Sequence, residues 1–430
     1  MVELSGATLG KQVLPLFRSR ANLHRWDAVR RYCGQAEDGI GLLEEAVGRD
    51  GAAVVLPVVQ KALAAMGRVM LHADDSNGSI GGTFERLMTL HARLCREAPP
   101  APGRLVSWTI QFQFGDGQDF VMPDPVDYAA ALGPKGLEKY RAELDKVAAG
   151  IPPEMDEAQK QAARRLYLDD PAAWEQFSEH THARFVLAYN AERLAVAHRD
   201  VPRIIETHAG DQSRSYKLHN TAKALAEIGE TGLAMDWAKR GALLENGHQG
   251  EAAGEYWCAL LHEHAPGEEL AARLAVFERW PSFVQASRLH DAAVPTGAWP
   301  SMRAEVLATL AGRPDDYVQF LLLTLKDVPL AWAEAYRVGL DRGDLWEKLI
   351  DAHRVHDPAA VLFVLEKLIV GGLAVADARN YRTATARLRK HRAISTAAGR
   401  PEATATLLAA IREANRNRPR LLRELDRLKF

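Results

Sequence analysis

The stretch from Tyr216 to Leu244, YKLHNTAKALAEIGETGLAMDWAKRGALL, constrains the fold more than any other part of the chain. In its first half Leu218, Thr221, Ala222, Leu225 and Ile228 recur at i, i+3, i+4, i+7 and i+10, one face of an α-helix. Gly229 interrupts the pattern. The second half repeats it with Leu233, Ala234, Trp237, Ala238, Gly241 and Leu244, so two short helices are expected to fold back and bury these faces together. Small residues at Ala222, Ala234, Ala238 and Gly241 allow the two backbones to approach closely.

This hairpin resembles a tetratricopeptide unit, in which small residues sit where paired helices touch. A second hairpin runs from Glu251 to Trp280 and breaks at Pro266-Gly267, placing the two turn glycines 38 residues apart. A regular tetratricopeptide array repeats every ~34 residues, so the repeats read as degenerate. The spacing predicts further pairs at Ser301–Leu310 with Asp316–Lys326 and at Leu330–Leu340 with Leu345–Arg354. Closing helices follow at Ala359–Ile369, Ala376–His391, Glu402–Asn415 and Arg420–Lys429. Upstream, helices are expected at Leu14–Cys33, Ile40–Val47, Ala52–His72 and Thr83–Arg96, then at Pro125–Leu132 and Gly136–Ala149. Leu105 to Phe114 alternates like a strand, but Leu105, Trp108 and Phe112 also fit helical spacing, and an isolated strand has no partner here. A short helix is the reading. GDGQDF at Gly115–Phe120 reads as a turn and Ile151–Glu154 as a linker. The expected architecture is all-α: a helical bundle over residues 1–150, then a degenerate tetratricopeptide-like α-solenoid over 151–430.

Composition, 47% hydrophobic and 26% charged with a formal charge of −2, is that of a soluble globular chain and favours no particular partner. The charge is nevertheless uneven. From Ala376 onward 14 Lys and Arg stand against 5 Asp and Glu, a local charge of +9 that leaves −11 on the rest. Cys33, Cys95 and Cys258 lie far apart in helical segments, so reduced thiols and a cytoplasmic location are expected. Lys11, Arg18 and Arg20 interrupt any signal-like run, and no apolar run nears the ~18 to 20 residues of a spanning helix. No membrane association is expected.

Three blocks carry a family resemblance: Ala73–Cys95 with Pro123–Leu144, the central hairpin, and Tyr381–Leu428 with its Gly399-Arg400, Arg418-Pro419 and Glu424-Leu425-Asp426. Through them the chain resembles an uncharacterised bacterial all-helical family, allied to the region that follows the zinc finger in bacterial SWIM zinc-finger proteins. The finger itself is absent. It needs two closely spaced Cys followed by Cys-x-His to give Zn²⁺ four ligands, and three isolated Cys do not supply that.

No Walker loop, dinucleotide fingerprint or Gly-x-Ser-x-Gly elbow occurs, so the reading assigns no catalytic residues, cofactor or metal. The turn His72–Gly82 fits an EF-hand poorly, with Gly78 at the fifth ligand place and Ser79 where the invariant glycine belongs. Thr83 reads as an N-cap, and a phosphate cradle on Gly81 and Gly82 would face repulsion from Asp74 and Asp75. Of His180 with His182, His262 with His264, and His353 with His356 and Asp357, only His353 and His356 share a helical face, and a catalytic metal would want a third ligand from elsewhere. The candidate interaction surface is basic: Arg379, Arg382, Arg387, Arg389, Lys390, Arg392, Arg412, Arg416, Arg418 and Arg420. An acidic partner or phosphates would suit it. The first reading is a non-enzymatic scaffold that holds a protein or peptide in a groove between helix pairs, with homo-oligomerisation open. Nucleic-acid binding through these arginines is the second reading, and an enzyme or metalloprotein whose site is assembled only in space is the third.

Overall fold

The computed structural model describes residues 6–115, 120–153, 155–156, 158–161 and 171–428. Parts of the turn expected at Gly115–Phe120, the end of the expected linker at Glu154 and the end of the last expected helix at Lys429 lie outside the described residues. The protein is all-α. Among the described residues the sole β contact is an isolated parallel bridge between Leu23 and Ala73. Two compact units divide the chain, residues 1–237 and 238–430.

In the first unit α1 (Gly6–Val13) runs into a 3₁₀ turn, Leu14–Phe17, and is followed by α2 (Trp26–Asp50), α3 (Ala52–Met70) and α4 (Ser79–Glu97). Then come α5 (Pro102–Phe114), α6 (Pro125–Ala149), α7 (Pro171–Ala197), α8 (Val201–Ile204, continuing as a π-turn to Ala209) and α9 (Ser215–Glu227). The helical reading of Leu105–Phe114 matches α5. Helix α4 is central, touching α2, α3 and α6, and its Phe84, Leu87, Leu90 and Leu94 are buried in the core. Helix α3 is long and apolar enough to cross a membrane by composition, although no such run was expected. Its Val55, Val59, Ala62, Leu63 and Met66 are fully buried in this core. Helix α6 is two helices merged across a kink at Gly133, where φ is 61° and Pro134 follows.

The expected break between Cys33 and Ile40 does not exist, and α2 passes straight through Gly34 and Gly39. Gly39 is there for close packing. A Cβ on it would sit 2.8 Å from Cζ of the buried Phe17 and 3.2 Å from Cβ of Leu16, whereas one on Gly41 meets nothing within 4 Å. Opposite signs are therefore expected from thermal melts of two substitutions. Gly41→Ala raises stability by up to about 1 kcal/mol through helix propensity, and Gly39→Ala lowers it by about 1 kcal/mol because overpacking outweighs that gain. Stabilisation by both would remove the packing role.

Helix α9 ends as the sequence implies. Gly229 takes φ 86°, its N–H donates to the Ala226 carbonyl, and Glu230 N–H donates to Leu225, which closes a Schellman turn. Leu218, Ala222 and Leu225 of α9 are buried, as are Ala234, Trp237 and Ala238 of α10 (Thr231–Leu244). The expected face of α10 needs correcting at two places. Leu233 and Leu244 are exposed, while Ala242, not expected, is buried, because the buried stripe is narrower and turned by a fraction of a turn.

The second unit continues with α11 (His248–His264), α12 (Pro266–Arg279), α13 (Phe283–Ala293), α14 (Trp299–Ala311) and α15 (Pro314–Gln319, extended by a π-turn to Thr324). It closes with α16 (Val328–Arg337), α17 (Gly343–His353), α18 (Pro358–Gly372), α19 (Ala378–Ala397), α20 (Glu402–Ala414) and α21 (Pro419–Asp426). From α11 to α20 each helix packs against its sequence neighbour, and α21 packs back on α19. A Cβ on Gly254 of α11 would sit 3.0 Å from Val276 Cγ2, 3.3 Å from the Trp280 ring and 3.5 Å from Ala242 Cβ, so the missing side chain makes room for these neighbours.

Candidate functional site

The basic C-terminal helices form an open groove of about 460 Å³ between α19 and α20. Asp377 opens α19 by accepting from the N–H of Arg379 at 3.0 Å, an N-cap. Tyr381, Ala384, Leu388, His391 and Ile394 then face the core at helical spacing. Arg382, Arg389, Arg392 and Thr396, at i, i+7, i+10 and i+14, share an exposed face. After Gly399 (φ 70°) the chain reverses through Arg400 N–H donating to the Ser395 carbonyl at 2.8 Å. Helix α20 then lays Pro401, Ala405, Leu408 and Ala409 along the opposite wall, with Arg412 at the far end.

The ten basic residues picked out by sequence do not act as one surface. Arg387 turns inward to Glu347 at 2.6 Å and to the Leu368 carbonyl at 2.8 Å, and Lys390 pairs with Asp351 at 2.8 Å. Arg418 reaches the Leu373 carbonyl, and Arg416 pairs with Glu413 on its own helical end at 3.2 Å. Arg412 lines the groove and pairs with Asp426 at 2.8 Å. Arg392 also lines it, while Arg379, Arg382, Arg389 and Arg420 stand exposed.

Beneath the groove lies a polar chain absent from the sequence reading. Glu366 Oε1 on α18 is 3.1 Å from His391 Nε2, His391 Nδ1 is 2.8 Å from Thr404 Oγ1, and Ser395 Oγ is 2.9 Å from Thr404 Oγ1. The Ser395 hydroxyl donates to the Arg392 carbonyl at 3.0 Å, so Thr404 is the donor in the Ser395–Thr404 bond and its one proton is not shared with His391 Nδ1. Thr404 lines the groove yet is only 2% exposed, and Ser395 is fully buried. The chain ties α18, α19 and α20 together. One signal was available: His391 sits in register with the apolar stripe of Tyr381, Ala384 and Leu388.

Two further polar clusters lie in the first unit. Arg193 on α7 meets Asp124 at 2.7 Å and grips Glu227 with two hydrogen bonds of 2.7 and 2.8 Å. Burial opposes its charge, but hydrogen bonds to Glu227 and Asp124 hold its pKa above the ordinary value. Nearby Asp127 is pushed up by burial and by the Asp124 charge. The second cluster centres on His91, fully buried under Trp108 with ring centroids 4.0 Å apart. Gln60 Nε2 donates to Nε2 at 3.1 Å, so Nδ1 carries the proton and donates to Tyr128 at 2.8 Å. Tyr128 in turn donates to Met88 Sδ at 3.2 Å.

The turn at His72–Gly82 holds no vacant anion cradle. Asp75 accepts from the N–H groups of Ile80 and Gly81, both at 2.8 Å, so the chain's own carboxylate occupies the start of α4. Thr83 is not the N-cap. It lies one turn inside α4, donating to the Ser79 carbonyl at 3.2 Å. Among the described residues no group of three or more His, Cys, Asp or Glu is arranged to hold a metal ion. His353 lies flat on Trp332 with centroids 4.4 Å apart, and His262 pairs with Glu269 at 2.7 Å. All three cysteines are free thiols.

A family model described as "Family of unknown function (DUF6880)" matches residues 5–291. That match ends before α14, so the groove between α19 and α20 lies outside it. No curated protein matches the chain.

Proposed function

The chain belongs to this family of unknown function, and from that premise we propose that it is a non-enzymatic helical-repeat scaffold holding a protein or peptide partner between stacked helix pairs. One observation carries the reading: an open groove with an apolar wall on α20 and arginines on both helices. Packing of successive helices from α11 to α20 on their sequence neighbours supports a degenerate, tetratricopeptide-like solenoid. Likeness to the helical region of SWIM zinc-finger proteins belongs to the same proposal, as does a cytoplasmic home, which the free thiols support. Grooves of this kind bind helices or extended segments through apolar anchors.

The test is quantitative affinity capture from the native host with the wild-type chain and an Ala405→Trp variant, whose indole fills the groove. A partner recovered by the wild type and reduced by about tenfold or more in the variant is the expected result. Equal recovery by both removes the groove from the function. A second reading, binding to nucleic acid, is favoured by the exposed Arg379, Arg382 and Arg389 on α19. Gel-shift titrations across a salt series decide it. Three phosphate contacts would give a log–log slope of about −3, and no shift at low salt dismisses it.

A further inference from the structure

Resting on the scaffold reading, we infer that the occupant of the groove between α19 and α20 is an acidic amphipathic helix of a partner protein, and that Asp426 competes with it for Arg412. The groove has two unlike walls. The α20 wall presents Pro401, Ala405, Leu408 and Ala409 at i, i+4, i+7 and i+8, small and apolar residues that leave room for a partner's leucine-sized anchors. The wall from α19 is cationic and polar, with Arg392 and Thr396 at the groove and Arg389 one turn earlier. Pro401 to Arg412 spans about 16 Å at the helical rise, enough for three turns of a docked helix.

Among the described residues, none that lines the groove carries a carboxylate. An occupant with one apolar face and carboxylates along the adjoining edge meets both walls at once, because the arginines sit beside the apolar wall rather than within it. Nucleic acid satisfies only the cationic half. Among the described residues the lining has no aromatic ring on which a base could stack, and its apolar wall gives phosphates nothing. The groove is also preformed, since the buried chain His391–Thr404–Ser395, continued by the half-exposed Glu366, fixes the spacing of its two helices before anything binds.

At the far end Arg412 is already neutralised by Asp426 at 2.8 Å. Both side chains of that pair are well exposed, and pairs of this kind hold weakly. A partner carboxylate can therefore take over the guanidinium, and Asp426 acts as a built-in competitor that lowers affinity modestly.

Fluorescence anisotropy tests this with three labelled peptides of about 14 residues and the full chain. One carries leucines at helical spacing flanked by glutamates, one has the same leucines flanked by lysines, and one keeps the glutamates but replaces leucine with serine. The Glu/Leu peptide is expected to bind at least about tenfold more tightly than either control. Asp426→Asn is expected to tighten it by about threefold, and Glu413→Gln, whose carboxylate faces Arg416, to leave it unchanged. Equal binding of the lysine or serine peptide, or no effect of Asp426→Asn in a variant with wild-type circular dichroism, overturns the inference. If the Glu/Leu peptide fails while Ala405→Trp still blocks host capture, the inference falls and the scaffold stands. If neither responds, both fall.

Discussion

Arg193→Ala is expected to lower the free energy of unfolding by about 3 kcal/mol, the low end of the range for breaking a desolvated ion pair. Arg193 ties three elements together: Asp124, which also caps α6 by accepting from Val126 N–H at 2.9 Å, Glu227 at the end of α9, and its own helix α7. Its removal leaves Asp124, Asp127 and Glu227 near one another with only the Arg96 charge still acting on Asp127, whose pKa is already raised by burial and by Asp124. Asp124→Asn costs less, about 1 kcal/mol, because asparagine still caps the helix and Glu227 still holds the guanidinium. Urea unfolding followed by far-ultraviolet circular dichroism measures both. A loss under about 0.5 kcal/mol for Arg193→Ala would mean that water replaces the guanidinium without penalty.

Arg193 also marks the limit of what the sequence reveals. Its partners lie 69 and 34 residues away, and neither spacing belongs to any local pattern. Periodicity did place α3, α5, α9 and α19, because apolar faces repeat with the helical turn and their burial decides the local conformation. Glycine was the main source of error. Gly229 terminates α9 because its backbone takes positive φ, whereas Gly39 stays helical and is small to admit Phe17. Sequence alone gives both the same letter. The start of α4 failed for a related reason: the capping carboxylate belongs to Asp75, five and six residues before the N–H groups it satisfies, outside the usual cap spacing. At the candidate site, charge composition found the basic helices, but could not tell Arg387, bound to Glu347, from the exposed Arg389. That distinction is tertiary. The polar chain beneath the groove was equally hidden, since His391 and Thr404 meet only because the chain reverses at Gly399.

Stability should fall steeply with acid, and His91 should account for a definable part of the loss. Burial pushes its pKa down to about 3, against the ordinary value of about 6.5 for the unfolded chain. Between these values the unfolded chain binds a proton that the folded chain refuses, so stability is full above pH 6.5 and declines as pH falls toward 3. The shift corresponds to about 2 kcal/mol lost by pH 5 and about 4 kcal/mol by pH 3. His219, lowered to about 4 by burial and by Lys223, adds a similar loss at pH 5, and His208 shifts the same way through burial. The groups that meet the His91 ring, namely Gln60, Tyr128, Trp108 and Cys95, include no carboxylate to stabilise an imidazolium. Its neutral form is therefore required by all its neighbours, with Gln60 donating to one nitrogen and Tyr128 accepting from the other. His91→Gln keeps polar atoms in the site but cannot be protonated. Urea unfolding of wild type and variant at pH 7 and pH 5 separates the contribution: the variant starts less stable yet loses about 2 kcal/mol less on acidification. Equal losses in the two proteins would show that His91 titrates alike in the folded and unfolded states, and would remove it as a source of the acid sensitivity.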